Sequence, residues 1–167
     1  EVDNWRWSGV PFYLRTGKSL AQRKSEIVIQ FKPVPYRLFS QGSEKPAHNR
    51  LVIRLQPGES IRLSLMAKSP GRGMSLQDVD LDLNFAEAFK SRRWDAYERL
   101  LLDVISGDAT LFMRRDEIEA AWRWVDPIIQ GWEDCYRSPK RYAAGSWGPV
   151  AADSLLDRLG HRWLDQR

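Results

Sequence analysis

Residues 50–68 read RLVIRLQPGESIRLSLMAK, and this stretch decides the fold class. Leu51, Ile53 and Leu55 alternate with Arg50, Arg54 and Gln56, and Ile61, Leu63, Leu65 and Ala67 alternate with Arg62, Ser64 and Lys68. A period of two marks a strand with one apolar face. Between the halves, Gln56-Pro57-Gly58-Glu59 is turn chemistry, because proline presets φ and glycine tolerates positive φ. The stretch therefore predicts an antiparallel hairpin.

Working outward, Ser69-Pro70-Gly71-Arg72-Gly73 breaks the pattern, and a further strand follows with Val79, Leu81, Leu83 and Phe85 inside and Asp80, Asp82 and Asn84 outside. Upstream, Ile27, Ile29 and Phe31 alternate with Glu26, Val28 and Gln30 until Lys32-Pro33-Val34-Pro35 ends the strand, since proline cannot donate to a ladder. Pro11–Arg15 reads as an earlier strand, entered at Val10, because a residue before proline avoids the helical region. Trp5 and Trp7 are expected to pack beside that entrance, and residues 39–48 to form a loop.

Beyond the strands the period changes to 3.6. Tyr97, Leu100, Leu101, Val104 and Ile105 predict a helix over 94–105 closed by Gly107. A longer helix is expected from Asp116, with Glu119 three residues on and a buried stripe of Ile118, Ala121, Trp122, Val125, Ile129 and Trp132. Pro127 lies in that stripe and predicts a kink. After a loop over 136–149, Pro149 opens a last helix whose apolar face is Leu155, Leu156 and Leu159, ended by Gly160. Strands first and helices afterwards imply an α+β fold. Its largely antiparallel sheet has helices packed on one face, and the other face is polar and open to substrate or a subunit.

The 167 residues suit a single domain spanning 1–167. Glu1 stands where an initiator Met is absent, which fits part of a longer chain, and Glu1–Trp7 lacks the apolar region of a signal peptide. No apolar run approaches the roughly 20 residues that span a bilayer, so no membrane partner is expected. The lone Cys135 has no internal disulfide partner, which fits a reducing, cytoplasmic compartment. Charge is uneven: residues 1–75 hold 13 Lys/Arg against 5 Asp/Glu, net +8, and residues 76–167 hold 13 against 17, net −4. An anionic partner would meet the strand-bearing half.

The connection between the Pro11–Arg15 and Glu26–Phe31 runs carries Arg15, Lys18, Arg23 and Lys24 around Gly17. Arginine offers a planar fork and lysine a mobile point charge, so Lys18 and Arg23 together suit a doubly charged phosphate monoester. A solvated basic loop with no ligand has the same charge pattern. Most catalytic constellations are missing. His48 and His161 are isolated and expected in solvent, and Gly145-Ser146-Trp147-Gly148 lacks the spacing of a nucleophile elbow. Asp80 and Asp82, two apart on a strand, suit cross-strand pairing with arginine better than a metal. No catalytic, metal or cofactor-binding residue is expected in this chain.

Five stretches, in order, resemble the C-terminal part of the glucose-6-phosphate dehydrogenase family, of bacterial type. They are NWRWSGVPFYLRTGKSL at Asn4–Leu20, SEIVIQFKPVP at Ser25–Pro35, NRLVIRLQP at Asn49–Pro57, DAYERLLLDVISGDATLF at Asp95–Phe112 and GSWGP at Gly145–Pro149. The resemblance implies oxidation of the C1 hydroxyl of glucose 6-phosphate to the lactone with reduction of NADP. It places the base, a histidine in a motif like RIDHYLGKE, and the NADP-binding Rossmann domain outside this sequence, so the chain alone should be silent. It assigns Lys18, in R-T-G-K, and Arg23, a position many bacterial members fill with lysine, to substrate binding from the sugar side; Gln56 matches a looser contact.

In animal members, Arg15, Lys24, Arg54 and Asp82 match residues of a second, structural NADP site. Arg62-x-Ser64 stands where those members have Tyr-x-Lys, so that site is expected to be absent. The resemblance further implies a homo-oligomer, dimer or tetramer, formed through the sheet. Two other readings are a nucleic-acid-binding module using the basic half with Trp5, Trp7, Phe12 and Tyr13, and a purely structural oligomerisation domain with Arg54, Arg62 and Asp82 at its interface.

Overall fold

The computed structural model describes residues 2, 4–33, 48–73, 75–90, 95–135 and 138–164. Strands β1 (Ser25–Gln30), β2 (Arg50–Gln56), β3 (Ser60–Lys68) and β4 (Leu76–Asn84) form one antiparallel sheet in sequence order. Helices α1 (Phe85–Ala88), α2 (Ala96–Ser106), α3 (Arg115–Asp134) and α4 (Val150–Asp157) follow. The α+β class is thus the one the chain adopts. Two compact units result: residues 1–84 with 141–167, and residues 85–140.

Register confirms the hairpin and assigns the two sheet faces. Ile27, Ile53, Ile61 and Leu83 align across the four strands, as do Ile29, Leu51, Leu63 and Leu81. On the opposite face the rows are Val28, Val52, Arg62, Asp82 and Gln30, Arg50, Ser64, Asp80. Because the side-chain period is two, these rows cannot mix without a register slip. Arg62 donates to Asp82 through Nε at 2.9 Å and Nη2 at 2.6 Å, and the Ser64 hydroxyl donates to Asp80 at 2.6 Å. Both carboxylates are therefore cross-strand partners, though only Asp82 takes the expected arginine. The hydrogen bond and charge of Asp82 hold the Arg62 guanidinium above its ordinary value.

Loop closures are equally local. Lys68 Nζ donates to the carbonyls of Ser69 and Gly71, each at 3.0 Å, closing the 69–73 turn. Asn49 ties strands together: its carbonyl accepts from Phe31 N at 2.9 Å and its Oδ1 from Met66 N at 3.0 Å.

Several expectations need correction. Among the described residues, 10–17 join no ladder, so Pro11–Arg15 is not a strand; Arg15 is held instead by the rings of Trp147 and Trp163. Phe85 opens α1 and does not end β4. Trp5 is 88% exposed and Trp7 is exposed with its ring edge on Phe12 at 5.5 Å, so neither is held by the sheet. Leu81 and Leu83 are exposed, not inside. Alternation names the face that seeks burial; burial itself needs an opposing surface, and edge strands have less of it than β2 and β3.

The unit 85–140 repeats this lesson. Asp95 caps α2 by accepting from Tyr97 N at 2.9 Å, and Gly107, at φ 70°, ends it in the left-handed conformation that glycine tolerates best. The N-cap of α3 is Arg114, not Asp116: the Glu117 carboxylate reaches back to Arg114 N at 2.9 Å, while Asp116 pairs with the Arg114 guanidinium at 2.8 Å. Helix α3 runs through Pro127, but its stripe of Ile118, Trp122, Ile129 and Trp132 is exposed.

In the sheet-bearing unit, Pro149 is the N-cap of α4 and not its first residue, which is Val150, and the helix stops at Asp157, before Gly160. Only Leu156 of its three leucines is buried, at 3% exposure. Ser64 is the buried polar side chain, at 6%, satisfied by Asp80. Residues 39–47, Trp94 and residues 136–137, which carried loop and helix-start expectations, lie outside the described residues, as do Val34 and Pro35. Among the described residues no helix is long and apolar enough to cross a membrane.

Candidate functional site

The cationic connection leading into β1 is held by a second segment from far along the chain. Leu20 and Ser146 form a parallel bridge, with Ala21 N donating to Ser146 O at 3.0 Å and Gly145 N donating to Ser19 O at 2.8 Å. The Tyr142 hydroxyl donates to the Lys18 carbonyl at 2.7 Å, a contact between residues 124 positions apart. Gly17 is needed beside it. A Cβ there would stand 3.0 Å from the Tyr142 oxygen, closer than side-chain carbons normally come. Ser19 takes φ 53°, a left-handed conformation that non-glycine residues adopt at a cost of about 1 kcal/mol or more, so the neighbouring bonds must hold it.

Aromatic stacking secures the flanks. The Arg15 guanidinium carbon lies 4.4 Å from the Trp147 ring centroid and 4.3 Å from that of Trp163, over both indoles. Lys24 Nζ sits 5.1 Å from Trp147 and 2.7 Å from a Glu26 carboxylate oxygen. Indole faces attract cations through their quadrupole, most strongly when water is excluded. Tyr13 packs against His161 at 5.5 Å and Trp163 at 6.4 Å.

This arrangement divides the four cations. Arg15 and Lys24 are half-buried and serve the scaffold, whereas Lys18 and Arg23 are exposed. Among the described residues no carboxylate forms an ion pair with Lys18 or Arg23. Chemically the pair offers an ammonium and a guanidinium to an anion. Gln56 is exposed at the end of β2, next to Pro57.

Asp82, matched to the animal NADP site, is engaged by Arg62. The two histidines are half-buried and not fully in solvent: His161 packs against Tyr13 with the rings tilted by 48°, and His48 Nδ1 is buried with no hydrogen-bond partner among the described residues. Cys135 is exposed at the C-cap of α3.

Reading the sequence alone missed Tyr142, Trp147 and Trp163. Their contribution depends on contacts across more than 120 positions, for which a single sequence carries no local signal.

The family model described as "Glucose-6-phosphate dehydrogenase, C-terminal domain" matches residues 1–164. The chain belongs to this family. The glucose-6-phosphate 1-dehydrogenase of Mycolicibacterium smegmatis is 58% identical over 164 residues, covering 97% of this chain and 33% of that protein. The Rhizobium meliloti glucose-6-phosphate 1-dehydrogenase is 55% identical over 166 residues, covering 99% and 34%. The chain therefore spans about a third of the length of the curated relatives it matches.

Among solved structures, a glucose-6-phosphate dehydrogenase in complex with its substrate glucose-6-phosphate superposes with a TM-score of 0.75 at 35% identity, covering 88% of this chain and 30% of that one. The glucose-6-phosphate 1-dehydrogenase of Mycobacterium avium gives a TM-score of 0.74 at 39% identity, covering 98% and 33%. The nucleic-acid reading finds no support in these glucose-6-phosphate dehydrogenase matches.

Proposed function

We propose that this chain is the sheet-bearing, substrate-contacting portion of a cytoplasmic glucose-6-phosphate dehydrogenase. The parent oxidises the C1 hydroxyl of glucose 6-phosphate to the 1,5-lactone, and NADP accepts the hydride. The observation carrying this reading is the family match over residues 1–164, within which the Arg15-Thr16-Gly17-Lys18 segment is retained.

Lys18 and Arg23 hold the substrate through charge-assisted hydrogen bonds, the lysine as a mobile cation and the arginine as a planar fork. Their exposure leaves both available, while Lys24 is already engaged by Glu26. Binding of this kind orients the sugar for a base and a nicotinamide supplied by the Rossmann domain of the parent. On this reading the base comes from the remainder of the parent, and among the described residues no cluster of His, Cys, Asp and Glu could hold a metal ion. The second NADP site of animal members is absent, because Arg62 and Ser64 replace its Tyr-x-Lys. The residues 1–167 act as one part of the C-terminal domain, and the parent assembles as a dimer or tetramer through the sheet, whose polar face carries Arg54, Arg62 and Asp82.

A spectrophotometric assay of NADPH formation tests this. The full-length parent reduces NADP when given glucose 6-phosphate, and the 167-residue chain alone does not. Turnover by the isolated chain, or a parent inert towards this sugar phosphate, would contradict the reading.

A further inference from the structure

We infer that Tyr142 is a positioning residue for substrate, acting through its hydroxyl on the backbone of Lys18. The inference rests on the assignment of Lys18 to substrate binding and adds the group that aims it. A lysine side chain has four rotatable bonds, so where its ammonium can reach depends on where its backbone is anchored. A misplacement of about 1 Å at a binding group is enough to lower productive binding severalfold or more. Here the anchor is specific: the Tyr142 hydroxyl meets the Lys18 carbonyl at 2.7 Å, immediately before Ser19 with its left-handed φ of 53°.

The next carbonyl, of Ser19, accepts from Gly145 N at 2.8 Å, and the next amide but one, of Ala21, donates to Ser146 at 3.0 Å. The segment 142–146 thus fixes three of the four residues 18–21. Tyr142 differs from the other two anchors because its contribution is a side-chain atom. It can be removed without touching the bridge.

Tyr142 is 39% exposed, so its phenol is not a core group whose loss would unfold the unit. Gly17 supplies independent support. Its missing Cβ leaves room for the Tyr142 oxygen, the nearest atom to the position a Cβ would take, at 3.0 Å. Its φ is not positive, so conformational freedom does not explain glycine at this position. A close approach does.

The test uses the full-length dehydrogenase that carries this chain. Tyr142→Phe removes only the hydroxyl and should raise KM for glucose 6-phosphate by about 3- to 10-fold, below the roughly 100-fold that a full 1 Å misplacement can cost. It should leave kcat within about twofold and KM for NADP unchanged, because uniform binding has been lost and not transition-state stabilisation. Gly17→Ala, which pushes the Tyr142 oxygen away without altering the phenol, should shift KM for the sugar phosphate in the same direction.

In a Lys18→Ala background Tyr142→Phe should add less than a further twofold, since residues acting as one unit are non-additive. An unchanged KM in Tyr142→Phe, an equal fall in kcat with a rise in both KM values, or full additivity with Lys18→Ala would each overturn the inference. If Lys18→Ala alone leaves KM unchanged, the substrate assignment fails and the positioning inference falls with it. If Lys18→Ala raises KM and Tyr142→Phe does not, only the inference fails.

Discussion

Lys18→Ala raises KM for glucose 6-phosphate by about 10- to 100-fold in the full-length dehydrogenase and changes kcat far less. A hydrogen bond to a charged group contributes roughly 1.5–3 kcal/mol, and about 1.4 kcal/mol corresponds to a factor of ten. Lys18 is exposed, so truncating it removes the cation without opening a cavity. KM for NADP should stay constant, because the proposed function places the nicotinamide on another domain of the parent. Arg23→Ala should act in the same direction, and Arg23→Lys should lose less, since lysine keeps the cation but not the planar fork. Steady-state kinetics with each substrate varied in turn checks all three. A Lys18→Ala enzyme with ordinary KM and low kcat would move this lysine from binding to the chemical step.

Leu156→Ala carries the largest expected loss of stability, about 2–5 kcal/mol, the range for truncating a buried leucine. Leu156 is 3% exposed, the one buried hydrophobic side chain among the described residues. Its carbonyl also accepts from Leu159 N at 2.9 Å and His161 N at 3.0 Å, turning the chain towards the His161 and Trp163 rings that hold Tyr13 and Arg15. The packing behind α4 therefore underlies the cationic connection.

Leu155 and Leu159 are 59% and 61% exposed, so replacing either by alanine should cost no more than about 0.5 kcal/mol. Urea unfolding of the three variants separates them, because the midpoint shifts while the slope holds if only the native packing has changed. Equal losses for all three leucines would mean that the helix buries a whole stripe and not a single side chain.

What the sequence made legible follows the range of the interactions involved. The β2–β3 hairpin was readable because alternation and a Pro-Gly turn lie within 19 consecutive residues. The pairing of Asp82 with Arg62 followed from the same alternation once a strand came after it. The C-terminal end of α2 was readable from Gly107, which acts on its own helix, whereas the Asp95 cap emerged only in the structure.

Errors began where burial or distant contacts decide. Leu81, Trp122 and Leu155 have the periodicity of buried residues and are exposed, because a pattern names the face that seeks a partner and not the partner. Pro11–Arg15 looks like a strand yet is held by Trp147 and Trp163 stacking on Arg15. For the site, Lys18 and Arg23 stood out as cations around a glycine. Tyr142 did not, because nothing near it in the chain hints that its hydroxyl meets a carbonyl 124 positions away.

The most direct test of the account is a crystal structure of the full-length dehydrogenase with glucose 6-phosphate bound. The account predicts Lys18 Nζ and the Arg23 guanidinium both within about 3.2 Å of oxygen atoms of the same bound sugar phosphate. It is contradicted if the sugar phosphate is bound elsewhere, with Lys18 and Arg23 directed to opposite sides of the connection and touching no common ligand.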